Sequence, residues 1–588
     1  MSTGGGGGAG GGVSLVDAFA AVAARGTGHG MRLFRGDEEA ERVTFDQLHA
    51  EAGQLACGLL ERGVVRGERV AVALPTSIDF ARAFLGVLAA GAVPVPVPPP
   101  VRFASLDIHL KRIVLVMRQS KVRVVLSDKM LGGLLEPALG GVDGEFRILD
   151  VALTRATSPV YVDVAAGDPA LVQYTSGTSE SPKGVVLSHA NLLANVGAIA
   201  GGLGIDDTDV SCNWLPLFHD MGLIGAFLAP ALTDAETYLL PPEDFLRDPG
   251  RWLRIISRHG VTATTAPNSG YLYALRRVPA ERVPELDLSR WRFALNGAEL
   301  IDPDTLRRFS AHFAPAGFRA DAFLPVYGLA EGSLAVTFAP TGRAVRGTWV
   351  RRDALSRGVV ESVPDSADGG REIVSVGFPV ADTEVRLVDE DGTALTDASL
   401  VGEIQIRGDS VTRGYEDDER ATRATVHAGG WVSTGDLGFR QDGELFIAGR
   451  KKEVIIVFGQ NYYASDIESV AGRVTGVANG AVLAAGVAFP DGEGALSEGL
   501  VLVAETKESE AAAREELIAR LRYAVSDSLG LTPRDIVLVR RGRLPRTSSG
   551  KLQRHGVEEV LAAAGADPAR RTGRTGGQNR ADEQKVTS

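Results

Sequence analysis

The chain has 588 residues, more than one hydrophobic core organises, so two or more domains are expected. Its 44% hydrophobic and 23% charged residues make a globular composition, and 62 basic against 74 acidic residues give a net charge of −12, which argues against nucleic-acid binding. Two isolated cysteines, Cys57 and Cys212, exclude a disulfide framework or a cysteine zinc site and make the cytoplasm the expected compartment.

Residues 1–12 are mostly glycine, without a basic stretch or an apolar run, and read as a flexible tail rather than a signal peptide. Helical periodicity over 45–62, a short apolar strand over 69–74, a second helix over 78–90 and a strand over 122–127 alternate in the way that predicts an α/β fold with buried parallel strands. The uncharged run 83–101 does not predict a membrane span, because Pro94, Pro96, Pro98, Pro99 and Pro100 forbid a continuous helix; it reads as helix, turn and buried strand. From 377 to 408 the pattern turns to strands and tight turns, including Asp389-Glu390-Asp391-Gly392, which predicts a smaller β-rich subdomain. A polar cluster, Gly449 to Glu453, sets the main domain boundary: 13–449 forms a large N-terminal domain and 450–565 a small α+β domain with an amphipathic helix over 508–528. Residues 566–588 have little to bury and are expected to be disordered.

The most informative stretch is Thr175-Ser176-Gly177-Thr178-Ser179-Glu180-Ser181-Pro182-Lys183-Gly184. Its hydroxyls and backbone N–H groups suit phosphate oxygens, its glycines permit tight turns, and Lys183 supplies a cation. The Walker order of residues is absent. Further segments follow in sequence: Trp214 to Gly222 around His219, Asn296-Gly297-Ala298-Glu299, Tyr327-Gly328-Leu329-Ala330-Glu331, Ser433 to Gly438 around Asp436, Gly449-Arg450-Lys451-Lys452-Glu453, and Leu544 to Lys551.

Together these segments resemble the core motifs of the acyl-adenylate-forming superfamily, which includes acyl-CoA synthetases, fatty-acyl-AMP ligases and peptide-synthetase adenylation domains. The resemblance spans about Ser14 to Arg554. It implies the adenylate-forming ligase fold, in which a large multi-subdomain N-terminal domain carries a small mobile C-terminal one. It also implies a reaction in which a carboxylic acid and ATP give acyl-AMP, followed by attack of a thiol from CoA or from the phosphopantetheine of an acyl carrier protein.

Residue by residue, the resemblance assigns the loop with Thr175, Ser176, Gly177, Thr178 and Lys183 to the ATP phosphates, and Glu331 to Mg²⁺, a hard cation that favours carboxylate oxygen. Gly297, Ala298, Glu299, Tyr327 and Gly328 match segments flanking adenine. Asp436 matches the carboxylate that accepts the ribose hydroxyls, and Arg450 a second ribose or phosphate contact. Lys551 matches the mobile lysine that stabilises charge developing between carboxylate and α-phosphate. Lys452 matches the hinge that brings Gly459 and its neighbours toward the thiol, and His219 a position at the mouth of the acyl pocket. Trp214, Leu215, Phe218, Leu223, Phe227 and Leu228 fit either an apolar acyl tunnel or the core.

Gln460 to Glu468 and the polar interval Thr341 to Ile373 resemble the fatty-acyl-AMP ligase branch, where such an insertion restrains the C-terminal domain and disfavours CoA. Glu180 departs from the family pattern, which places a small neutral residue there. A carboxylate ~4 Å from a phosphate charge costs about 1 kcal/mol in water-like surroundings and about 4 at an effective dielectric of 20. Two alternatives follow: Glu180 weakens ATP binding, leaving an enzyme that thioesterifies a supplied acyl-AMP, or it faces solvent without effect. A non-catalytic adenylate binder is the third reading; it sits poorly with the presence of Lys551, Asp436 and Glu331.

Overall fold

The computed structural model describes residues 12–99, 106–140, 146–175, 182–366, 369–457, 460–490, 496–546, 552, 557, 560 and 561. The chain divides into two compact units, Met1–Lys451 and Lys452–Ser588. The division falls two residues beyond the boundary expected after Gly449, because Arg450 is still paired in a strand ladder with Asp436 in the larger unit.

Helices in the larger unit begin at hydroxyl caps. Thr44 and Ser188 each accept the N–H of the third helical residue, whose side chain returns a bond to the cap, and so fix the starts of Phe45–Glu61 and His189–Leu203. Ser77 caps Ile78–Ala89 in the same way, without the return bond. His189 is buried and its Nδ1 accepts the Leu15 N–H at 3.2 Å; burial pushes the imidazole down to about 4, so it serves as a neutral acceptor that docks the first helix.

Four parallel strands lie in the spatial order Val93–Pro96, Arg69–Ala73, Val124–Ser127 and Arg147–Asp150. The proline-rich strand stands at the end of this order, where a missing N–H costs no ladder bond. No helix among the described residues is long and apolar enough to cross a membrane.

The 14-stranded sheet has two halves of different character. One half is parallel through Gly30–Arg35, Glu236–Leu239, Val210–Asn213, Ala263–Ala266, Phe293–Asn296 and Phe323–Gly328. Beyond Phe323–Gly328 the ladder turns antiparallel, through Ala335–Phe338, Gly370–Pro379, Glu444–Arg450, Val432–Gln441, Gly402–Gly408 and Thr383–Val388. The larger unit is therefore a mixed α/β domain of several subdomains, and the switch between the halves falls at Tyr327 and Gly328. Beside the parallel half a buried aromatic cluster packs edge to face, with Tyr271 at 5.4 Å from Phe309 and 5.1 Å from Phe323.

The interval 341–373 folds onto this sheet. Gly347–Arg351 pairs antiparallel with Gly370–Pro379, and Arg343 reaches the buried carboxylate of Glu444 at 2.6 Å while Arg346 pairs with Asp442. Burial alone pushes the Glu444 carboxyl up; the Ser375 hydroxyl and the two arginines outweigh it and hold the group below its ordinary range.

The smaller unit is α+β. A hairpin of Val454–Val457 and Gln460–Tyr463 precedes the helix Ala464–Gly472, and a three-stranded sheet of Val477–Pro490, Leu496–Thr506 and Asp535–Arg540 carries the helix Ala511–Leu529. That helix buries Leu517, Leu521 and Val525, one every fourth residue, and leaves Tyr523 exposed. Each buried side chain stabilises the packing by about 1.5–3 kcal/mol.

Candidate active site

The carboxyl ends of the parallel strands converge on the residues named by the sequence motifs, as expected for ligand sites of parallel sheets. Phe293–Asn296 ends immediately before Gly297, and Phe323–Gly328 ends in Tyr327 and Gly328. Backbone approach explains the two glycines: a Cβ on Gly297 would lie 2.8 Å from the Val326 carbonyl oxygen, and one on Gly328 only 1.8 Å from that of Leu334. Ala298 turns the chain with φ +67°, and the Glu299 carboxylate accepts the Ser269 N–H.

Asp436 is the best-defined centre of the site. It is 5% exposed, and its strand register places it opposite Arg450. The Tyr327 hydroxyl donates to its Oδ2 at 2.8 Å, and Arg450 Nε donates to its Oδ1 at 2.8 Å. Burial beside this carboxylate drives the Tyr327 phenol well above its ordinary value, so it remains a donor. Thr434 fixes the backbone here by accepting the Asp436 N–H at 3.0 Å and donating to Ile404 O at 2.9 Å.

Glu331 occupies the 3-10 turn Ala330–Gly332, a short way along the chain from Tyr327. The turn is clamped from two sides. Buried Asn195 donates to Gly332 O and Ala335 O and accepts the Ala335 N–H, while Ser333, held at φ +65°, donates to Ser410 O at 2.6 Å. The Tyr415 hydroxyl donates to Glu331 Oε1 at 2.8 Å, and Thr412 N–H donates to Glu331 O at 2.8 Å. Burial raises the Glu331 carboxyl above its ordinary range, against the pull of the Tyr415 hydrogen bond and of Arg450; the charge of Asp436 adds to the rise. The pull of Arg450 and the push of Asp436 on Glu331 put these groups in one electrostatic neighbourhood.

Pro169–Tyr174 and Gly184–Ser188 pair antiparallel, and in sequence they flank the expected phosphate loop. Thr175 N–H donates to Lys183 O at 3.1 Å, closing its base, and the Lys183 ammonium stands 4.7 Å above the Tyr415 ring centre. Ser176, Gly177, Thr178 and Glu180 lie outside the described residues, as do Gly459 and Lys551.

His219 Nδ1 lies 2.6 Å from Asp220 Oδ1, at the start of the π-helix Met221–Leu228, a helix type that is rare and frequent at functional sites. Its segment is anchored at Phe218 O by Gln173 Nε2 at 3.1 Å and at Leu217 N–H by Thr76 Oγ1 at 3.2 Å. Of the apolar side chains around it, Leu223, Phe227 and Leu228 are fully buried. Lys452 lies in the turn Lys451–Glu453 and is the first residue of the smaller unit. Tyr415, Asn195 and Gln173 carry none of the sequence assignments, although Gly414, within Val411-Thr412-Arg413-Gly414-Tyr415, offers a weak turn signal.

The chain belongs to the AMP-binding enzyme family, which matches residues 20–416, and within it to the acyl-activating ligases. It is 34% identical over 542 residues to the medium-chain-fatty-acid–[acyl-carrier-protein] ligase JamA of Moorena producens, covering 89% of this chain and 90% of that protein. It is 36% identical over 549 residues to the 4-hydroxyphenylalkanoate adenylyltransferase of Mycobacterium marinum, covering 88% and 86%. Among solved structures, one from a structural and functional study of fatty acyl-adenylate ligases from E. coli and L. pneumophila superposes with a TM-score of 0.86 at 30% identity, covering 94% of this chain and 98% of that one. The chain is an AMP-forming acyl-activating ligase close to the fatty-acyl-AMP ligase and acyl-CoA synthetase branch, and its fold is that of the adenylate-forming ligases.

Proposed function

We propose that this enzyme activates a sizeable apolar carboxylic acid as its acyl-AMP and passes the acyl group to the phosphopantetheine thiol of an acyl carrier protein, with CoA the weaker acceptor. The arrangement of Asp436 between Tyr327 and Arg450 carries this reading. A carboxylate already oriented by two donors keeps lone pairs for a pair of ribose hydroxyls, and the buried Tyr327 is held in place by its packing. Gly297, Ala298, Glu299 and Gly328 shape the adenine side by letting the backbone approach the base.

Glu331 is the carboxylate that would hold the magnesium accompanying ATP, which would neutralise phosphate charge, and Thr175, Ser176, Gly177, Thr178 and Lys183 would hold the phosphate oxygens. Lys551, on the smaller domain, stabilises the charge developing at the α-phosphate, Lys452 is the hinge about which that domain moves, and His219 guards the acyl mouth. The ligation of a medium-chain acid to an acyl carrier protein by JamA, and the resemblance of the interval 341–373 to a CoA-disfavouring insertion, support the choice of acceptor.

The experiment is a mass-spectrometric assay of acyl-AMP and acyl thioester with fatty and hydroxyaryl acids, offering CoA and a phosphopantetheinylated carrier protein separately. Acyl-AMP with transfer only to the carrier protein is the expected result. Equal transfer to CoA overturns the acceptor assignment. Absence of ATP–pyrophosphate exchange that is restored by Glu180→Gly would instead favour an enzyme that thioesterifies acyl-AMP made elsewhere.

A further inference from the structure

We propose that Tyr415 is a positioning residue that couples Lys183 to Glu331: its ring face holds the ammonium, its hydroxyl holds the carboxylate, and together they set the spacing at which ATP phosphates and their metal are received. The proposal rests on the reading that Lys183 and Glu331 serve those groups.

The two contacts are independent in chemistry. The Lys183 ammonium, 4.7 Å above the ring centre, is attracted by the negative face of the π system. The hydroxyl at 2.8 Å satisfies one lone pair of Glu331 Oε1. A direct ion pair between lysine and glutamate would cancel both charges and compete with the incoming phosphate and cation. An interposed phenol orients both groups and cancels neither. Among the described residues Lys183 forms no salt bridge, and its ammonium is held over the Tyr415 ring face.

The backbone around Tyr415 is built as a brace between the same two elements. Tyr415 forms an isolated antiparallel bridge with Val185, Glu416 N–H donates to Gly184 O at 2.7 Å, and Val186 N–H donates to Gly414 O at 3.2 Å, so the segment is tied alongside the strand that follows Lys183. Thr412 joins both sides: its hydroxyl donates to Val186 O at 2.6 Å and its N–H to Glu331 O at 2.8 Å. The carboxylate of Glu416 is gripped by Arg69 through two bonds of 2.8 and 3.0 Å, which locks the brace to the parallel sheet. Tyr415 itself is 8% exposed, so neither contact is a passing surface encounter.

The test uses the full-length protein and calorimetric binding of ATP with and without Mg²⁺, with ATP–pyrophosphate exchange as the kinetic readout. Tyr415→Phe keeps the ring and removes the hydroxyl. Its metal-free ATP affinity is expected within about twofold of the natural enzyme, while the gain in affinity on adding Mg²⁺ falls roughly tenfold, the loss of one hydrogen bond to a charged group. Tyr415→Leu removes both contacts and is expected to lower metal-free affinity as well, by about three- to tenfold. Glu331→Gln and Lys183→Ala supply the reference losses, and thermal unfolding identifies folded protein; should the leucine variant not fold, the phenylalanine variant decides alone. A Tyr415→Phe enzyme with the natural Mg²⁺ response, beside a Glu331→Gln enzyme that has lost it, overturns the role of Tyr415. Natural binding in both Glu331→Gln and Lys183→Ala overturns the underlying assignment instead.

Discussion

The carboxylates of Asp436 and Glu331 each accept a tyrosine hydroxyl at 2.8 Å, yet only Asp436 also receives an arginine, Arg450 Nε, at the same distance. Among the described residues no cation pairs directly with Glu331, and burial raises its carboxyl. The Asp436 group is compensated before any ligand arrives and can present rigid acceptors. The Glu331 group holds a charge that burial disfavours, and the cation proposed to bind there would relieve it. Preorganisation and stored electrostatic demand thus stand side by side in one site.

The largest expected effect tests the compensated corner. With Asp436 in the proposed ribose-binding role, Asp436→Ala removes that acceptor together with the acceptor of the Tyr327 hydroxyl and of Arg450 Nε, so ATP–pyrophosphate exchange should fall by about two to four orders of magnitude and stability by about 1–3 kcal/mol. Exchange near the natural rate would break the comparison at its stronger end. Glu331→Gln should cut exchange by roughly ten- to a hundredfold at fixed Mg²⁺ while leaving the unfolding transition unchanged or slightly raised, since it deletes a charge that burial disfavours. The sign with pH follows from the raised carboxyl. Its protonated form favours the folded state, a contribution fully present below the ordinary glutamate range and lost as pH rises through the raised value. Unfolding curves of the two proteins should therefore converge in acid and separate above it; a glutamine variant destabilised at neutral pH would show that Glu331 is compensated after all.

Tyr327→Phe sharpens the contrast by removing one donor from Asp436, with an expected loss of about 1–2 kcal/mol in denaturant unfolding. The smallest effect belongs to Arg450→Lys. The Arg450 side chain is 45% exposed, so solvent screens the pair, and about 0.5 kcal/mol of stability is expected to go with the guanidinium geometry. A loss as large as that of Asp436→Ala would mean that the arginine, rather than the carboxylate, organises the corner.

Much of this was legible in the sequence because its signals are local. Helix starts at Thr44, Ser77 and Ser188 lie within three residues of their partners, and the Asp389–Gly392 turn is closed by Asp389 accepting the Gly392 N–H at 3.1 Å. Asp436, Tyr327, Arg450 and Glu331 were visible as members of ordered motifs. Tyr415, Asn195 and Gln173 were not, because each acts on a partner 84, 137 to 140, or 45 residues away, and no periodicity encodes such a distance.

Composition and the alternation of helical and strand patterns pointed to an α/β chain of more than one domain, and the order of its motifs, by resemblance to the acyl-adenylate-forming superfamily, pointed to a ligase, since those features depend on neighbours in the chain. Only the tertiary structure decided which carboxylate is paired with an arginine and which is raised by burial beside a tyrosine hydroxyl, because charge in a protein interior is governed by what packing brings within hydrogen-bonding reach.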